Sequence, residues 1–356
     1  MKILTIVGAR PQFIKAAVLS REIAKHPEIS EIIVHTGQHY DSNMSDVFFE
    51  EMEIPLPKYN LSISNVGHGA MTGRMLEEIE KIMLQEKPDW VLVYGDTNST
   101  LAGAIAAKKL NIKLIHVEGG LRNFDMSIPE EINRILTDRI SNIIFCPTDE
   151  AVKNLKNEGF EHFDCKVYQT GDIMYDAALF YGQKAEKMPE IMAQIPEKYI
   201  LCTIHRAGNT DNIEHLKSIL SALEEINQHI KILLPLHPRT KTILEREKIR
   251  TTISIVAPVG YLEMIQLTKN CEMVITDSGG LQKEASFWGK HCIILSESTP
   301  WVELVDNGYA LLAGADTQTI INSWKAFAGK TISNKSQLYG NGTCAKQIIE
   351  KLLLTK

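Results

Sequence analysis

The chain predicts an α/β protein made of two doubly wound halves, each built on a parallel sheet. Three observations carry this. Short apolar runs of strand length alternate with stretches of helical period along nearly the whole sequence. The alternation breaks once, over residues 172–197, where a helical stretch runs into a polar one containing Met188, Pro189 and Pro196. The length, 356 residues, also exceeds the size at which a single core stops growing.

Taken in order, strands are expected at 2–7, 31–35, 90–94, 113–117 and 142–146, with helices at 11–25, 69–86, 98–110 and 129–140. A second series of strands follows at 199–204, 230–235, 252–256, 272–276 and 291–295, again interleaved with helices, and a last helix lies near 343–354. The expected domains are 1–171, with the acid/base carboxylates, and 172–342, with the nucleotide site. The C-terminal helix, 343–356, is free to pack on either half, including back on the first.

Composition narrows the classes of function. A net charge of −6 argues against sequence-independent nucleic-acid binding, which needs a basic surface. No apolar run approaches the roughly 20 residues that cross a bilayer, and the first apolar stretch is too short for a signal peptide, so a cytoplasmic protein is expected. The six cysteines show no CxxC or Cys/His metal spacing and read as reduced core residues. There is no GxGxxG after the first strand and no GxxxxGK[ST], so neither a dinucleotide fingerprint nor a P-loop is present.

Ionisable residues collect at strand ends. HVEGGLRNFDMSIPEEINR puts Glu118 just past a strand and Glu130 and Glu131 in the first turn of the next helix. Acidic residues there also favour the helix dipole, and Glu130 can pair with Arg134, so either glutamate alone reads as structural. Repetition changes the balance: VLVYGDTNST ends a strand at Gly95 and Asp96, and YILCTIHRAGN ends one at His205 and Arg206. Such positions form the mouth of a parallel sheet, where α/β folds bind ligands.

Two segments suit anions. In GARPQFIK, Gly8 permits a tight turn, Pro11 suits a helix start, and Arg10 and Lys15 put positive charge near a helix N-terminus. In VITDSGGLQKEA, Ser278, Gly279 and Gly280 let a phosphate approach backbone amides, and Glu284 is one turn further on, within reach of a ribose. A capped helix with glycines for close packing explains that second segment equally well by itself. PLHPRT and PVGYLEM, in the same half, favour nucleotide binding.

These segments, with GQHYDSNMSDVFFE, HVEGGLR and PEEINR, closely resemble the non-hydrolysing UDP-N-acetylglucosamine 2-epimerase family over nearly the whole chain. The resemblance implies a GT-B fold, two Rossmann-like domains with the active site in the cleft between their parallel sheets, and a homodimer. It implies catalytic roles for Asp96, Glu118, Glu130 and His205, and UDP contacts at Arg10, Lys15, Arg206, Ser278, Gly279, Gly280 and Glu284. It also implies a regulatory UDP-sugar site at Gln38, His39, Arg74 and His237. The partner it implies is a UDP-sugar, and the chemistry needs neither a cofactor nor a metal. Which carboxylate removes the sugar proton stays open.

Departures bear on the substrate. The family's VEAGLR is VEGGLR here, with Gly119 expected to be tolerated while loosening the loop. In SESTPWVE, Pro300 and Trp301 replace the Glu and Arg of the N-acetylglucosamine enzymes. Trp301 resembles the branch acting on UDP-2,3-diacetamido-2,3-dideoxy-glucuronate, although Pro300 does not, and it is expected near the sugar. A hydrolysing epimerase, a GT-B glycosyltransferase and a silent UDP-sugar sensor are the alternatives. The full acid/base set argues against the last.

Overall fold

The computed structural model describes residues 1–38, 49, 53–186, 195–332 and 337–355. It divides into two compact units, Met1–Ala177 with Gln337–Lys356, and Ala178–Ser336. Among the described residues, the first holds a parallel seven-stranded sheet in the order β3-β2-β1-β4-β5-β6-β7. Its strands are β1 Lys2–Val7, β2 Ser30–His35, β3 Tyr59–Asn60, β4 Trp90–Tyr94, β5 Lys113–Val117, β6 Ile143–Cys146 and β7 Lys166–Gln169. The second holds a parallel six-stranded sheet, β10-β9-β8-β11-β12-β13. Its strands are β8 Tyr199–Thr203, β9 Lys231–Pro235, β10 Ser254–Val256, β11 Met273–Thr276, β12 Cys292–Ile294 and β13 Ala310–Leu312.

The expected strands all form, and the unexpected β3, β7 and β13 are short strands at sheet edges. The physical reason is burial. Central β4 is WVLVY and buried throughout, whereas β7 is KVYQ with its ends exposed, so no continuous apolar run marks it. The helix Asp149–Asn157 was not expected either; Thr148 caps it, accepting from the Ala151 amide at 3.2 Å.

Each sheet carries its own core. In the first unit Leu4, Ile6, Val91 and Val93 meet Met75, Ile79 and the alanines of the helix Asn98–Lys109. In the second, Ile200, Cys202 and Ile275 meet Leu216, Ile219 and Leu223 from the helix Ile213–Asn227. Full burial of each such aliphatic chain contributes roughly 1.5–3 kcal/mol. All six cysteines are free, and all but the half-buried Cys165 are buried. The C-terminal helix Cys344–Leu353 belongs to the first unit, where the Asp176 carboxylate accepts from its Cys344 and Ala345 amides at 3.1 and 2.9 Å.

The strand order reverses between β1 and β4 in the first sheet and between β8 and β11 in the second. Neighbouring connections leave in opposite directions at such points, opening a crevice at the strand C-termini. The ends of these four strands are Gly8–Arg10, Gly95–Asp96, His205–Arg206 and Asp277–Gly279.

Candidate active site

In the first unit Gly95 takes φ +58° immediately after β4, turning the chain so that Asp96 stands beside the β5 end. Glu118 follows β5 at φ +68°, a conformation that costs a non-glycine residue about 1–3 kcal/mol. It is held there because the Glu118 and Gly119 amides both donate to the Phe145 carbonyl, at 3.0 and 3.1 Å. Strain maintained by hydrogen bonds at a strand end is what a functional position shows.

Each of the two carboxylates has a cation. Lys15, buried on the helix Arg10–Ile23, contacts Glu118, and Arg134 Nη1 is 2.6 Å from Asp96 Oδ2. The Asp96 side chain is 32 % exposed, and the remainder is enclosed by protein. That enclosure raises its pKa, resisted by Arg134, reinforced by Glu118, resisted by Lys15 and reinforced by Glu130. A carboxyl so poised suits proton transfer.

Glu130 is exposed in the first turn of the helix Pro129–Ile140, within electrostatic reach of Asp96. The suggested Glu130–Arg134 pair is not the one the structure forms. Arg134 instead bridges Asp96 and Glu131, with Nη2 2.7 Å from Glu131 Oε2. Glu131 is buried and accepts from the Asn123 and Phe124 amides at 3.0 and 2.9 Å, so it shapes the loop before the helix. Asn133 donates to the Asp96 carbonyl at 2.8 Å. The part of Asn133 and the link from Arg134 to Asp96 were missed; their position within one helical turn of PEE was the available signal.

Two glycine expectations need correction. Gly8 makes no left-handed turn; a Cβ there would lie 2.1 Å from Thr36 Oγ1 and 2.2 Å from Ser99 Oγ, so close approach is what requires glycine. Gly119 does not loosen its loop either. Its Cβ would fall 2.5 Å from Ile144 Cγ2 and 2.6 Å from Asp138 Oδ1.

In the second unit the buried Asp277, also missed, organises the β8 exit. It accepts from the His205 amide at 3.0 Å, the Arg206 amide at 2.9 Å and Asn209 Nδ2 at 3.1 Å, and the His205 ring lies 3.3 Å away. Its signal was the aspartate opening DSGG. His237 stacks obliquely 5.5 Å from His205, and burial, then the neighbouring His205 and Arg239, lower its pKa. Ser278 caps the helix Gly279–Phe287, accepting from the Leu281 amide. Gly280 is exposed, and the Arg206 guanidinium lies 3.3 Å from where a Gly279 Cβ would project. Glu284 is buried on the same helix.

Trp301 is buried against this loop: its indole donates to the Gly279 carbonyl at 2.9 Å, and Lys283 Nζ lies 4.3 Å from its ring centre. Of the expected regulatory residues, Gln38 accepts from the Ser99 amide and hydroxyl at 3.0 and 2.8 Å, Arg74 is exposed on the helix His68–Glu86, and His237 is beside His205. His39 lies outside the described residues. Among the described residues, no group of three or more His, Cys, Asp or Glu side chains is placed to hold a metal ion. Nor is any helix among them long and apolar enough to cross a membrane.

Two parallel α/β units, one with paired carboxylates at its switch point and one with a glycine-rich helix start beside a histidine and an arginine, define a GT-B-type enzyme. The UDP-N-acetylglucosamine 2-epimerase family profile matches residues 21–353. The chain belongs to that family. It is 54 % identical over 353 residues to the UDP-2,3-diacetamido-2,3-dideoxy-D-glucuronate 2-epimerase of Pseudomonas aeruginosa, covering 99 % of both chains. It is 42 % identical over 369 residues to the UDP-N-acetylglucosamine 2-epimerase of Methanocaldococcus jannaschii, covering 100 % of both. A crystal structure of the M. jannaschii enzyme in complex with UDP-GlcNAc and UDP superposes with a TM-score of 0.92 at 42 % identity, covering 99 % of this chain and 100 % of that one.

Proposed function

We propose that the protein is a non-hydrolysing 2-epimerase that interconverts a UDP-2-acetamido sugar and its C2 epimer. One acid/base group removes the C2 proton; the electron pair forms the C1–C2 double bond as the C1–oxygen bond breaks and UDP leaves with that bond's electrons. UDP then returns to the same face of C1 while the second group delivers a proton to the opposite face of C2. Asp96 and Glu118, with Glu130, supply these groups. His205, Arg206, Arg10 and Lys15 meet the diphosphate, the Ser278–Gly279–Gly280 loop binds it through backbone amides, and Glu284 accepts from the ribose. The observation that carries this reading is Asp96 held beside Arg134 with its pKa raised by enclosure, near a second carboxylate that is paired to Lys15.

The preferred sugar in this reading is UDP-2,3-diacetamido-2,3-dideoxy-glucuronate, supported by the 54 % identity to the Pseudomonas enzyme and by Trp301. In the same proposal the first unit is the catalytic domain and the second the nucleotide domain of a cytoplasmic homodimer that makes precursors of surface polysaccharide. Gln38, His39, Arg74 and His237 form its regulatory site. Incubation with this sugar and with UDP-N-acetylglucosamine in heavy water tests the reading by NMR. Deuterium at C2 with UDP retained is expected, faster for the diacetamido sugar. Free UDP and a free sugar would mean hydrolysis, and no exchange without an acceptor would favour a transferase.

A further inference from the structure

One buried histidine touches every element that carries a proposed acid/base carboxylate. His116 lies on β5, two residues before Glu118, and is fully buried. Its Nε2 is 2.7 Å from the carbonyl oxygen of Gly95, the residue before Asp96. Its Nδ1 is 2.7 Å from Oδ1 of Asp138, on the same helix as Glu130.

The partners dictate the hydrogens. A carbonyl oxygen only accepts, so Nε2 must donate to Gly95. Asp138 Oδ2 accepts from Arg122 Nη1 at 2.7 Å and from the Gly120 amide at 3.1 Å, the surroundings of an ionised carboxylate. Burial works against that ionisation, but His116 and Arg122 outweigh it and leave the Asp138 carboxyl below its ordinary range. Nδ1 therefore faces a carboxylate oxygen, and the ring is hydrogen-bonded on both sides. Arg122 continues the chain to Glu158, at 2.7 and 2.8 Å.

Buried ion pairs of this kind add little net stability over an apolar packing, but breaking one is costly. We propose that His116, buried and hydrogen-bonded through both ring nitrogens, is the positioning residue that sets the Gly95–Asp96 turn, the Glu118–Gly120 turn and the helix of Glu130 relative to one another. The inference rests on the epimerase reading and extends it to a residue that does not touch the substrate. Gly119 fits the same picture, since its missing Cβ is what lets His116 and Asp138 approach, with His116 Nδ1 3.0 Å from that position.

The test uses the full chain. His116→Asn keeps a donor toward Asp138 and loses the Gly95 bond; His116→Gln does the reverse. Expected are a kcat loss of about 10²-fold for His116→Asn and about 10-fold for His116→Gln, with KM and UDP affinity changed by less than roughly threefold, since small misplacement of reacting groups costs turnover. The inference is overturned by turnover of His116→Asn within about threefold of wild type, or by kcat falling only in step with the fraction of UDP-binding protein. If His116→Asn does not fold, wild-type turnover in His116→Gln overturns it instead. Deuterium incorporation at C2 by the wild type reports separately on the epimerase reading.

Discussion

At the β1/β4 switch point of the first unit the side chains proposed for proton transfer are held by other side chains: Asp96 by Arg134, Glu118 by Lys15, and the turns beneath them by His116 and Asp138. At the β8/β11 switch point of the second, one buried aspartate holds the backbone, while Arg206 and Gly280 are exposed. The first arrangement is preorganised for charge that moves within the protein. The second leaves Arg206 and Gly280 of the glycine loop exposed, where, in the proposed function, an incoming anion would complete the hydrogen bonding. Acid/base groups must hold their pKa before substrate arrives, whereas a diphosphate brings its own charge.

The sharpest break of this contrast lies in turnover. Asp96→Asn and Glu118→Gln should each lower kcat by about 10²- to 10⁴-fold while UDP still binds, and the exposed Glu130→Gln should fall at the low end of that range. Near wild-type rates in two of the three, with normal folding, would show that the ordered carboxylates are structural.

A glycine pair probes the same difference through packing. Gly119→Ala should cost about 1–3 kcal/mol of stability, because its Cβ has no room beside Ile144 and Asp138. Gly280→Ala meets only Glu284 Oε1 at 3.8 Å and should leave thermal stability unchanged while weakening UDP binding. Denaturant titration of both variants checks this; equal stability would remove the claim that only the first site is tightly built.

For the nucleotide, calorimetry on Arg10→Ala and Glu284→Ala should show UDP affinity weakened by roughly 1–3 kcal/mol each, the loss of a charge-assisted bond or of a partner. Unchanged affinity in Glu284→Ala would move the ribose contact elsewhere.

The smallest effect concerns stability and pH. Burial, opposed by the Ala345 and Cys344 amides, raises the Asp176 pKa to about 6. An acid whose folded pKa lies above its unfolded value near 3.9 stabilises the fold below about pH 4 and loses that contribution as pH rises through about 6. The unfolding free energy from denaturant titration should therefore fall across this window by at most about 1.4 kcal/mol per pH unit from this group, and Asp176→Asn should flatten it. An equal slope in the variant would assign it to other groups.

The strand-end placement of Asp96, Glu118 and His205 was legible because each lies within two residues of an apolar strand's end, a pattern visible within ten residues. Arg134, His116 and Asp277 were not, since their partners stand 38, 21 and 72 residues away and no local pattern marks the pairing. The contact of Lys15 with Glu118, 103 residues away, was not legible for the same reason.

By itself the sequence determined the strand-helix alternation, the two halves and the strand ends at which ionisable residues collect, because periodicity and burial of central strands are local properties of the chain. Only the tertiary structure decided the edge strands, the partner of each cation and why Gly8 and Gly119 carry no side chain. Those depend on distances between segments far apart in sequence, and an ion pair or a steric contact exists only once both sides are in place.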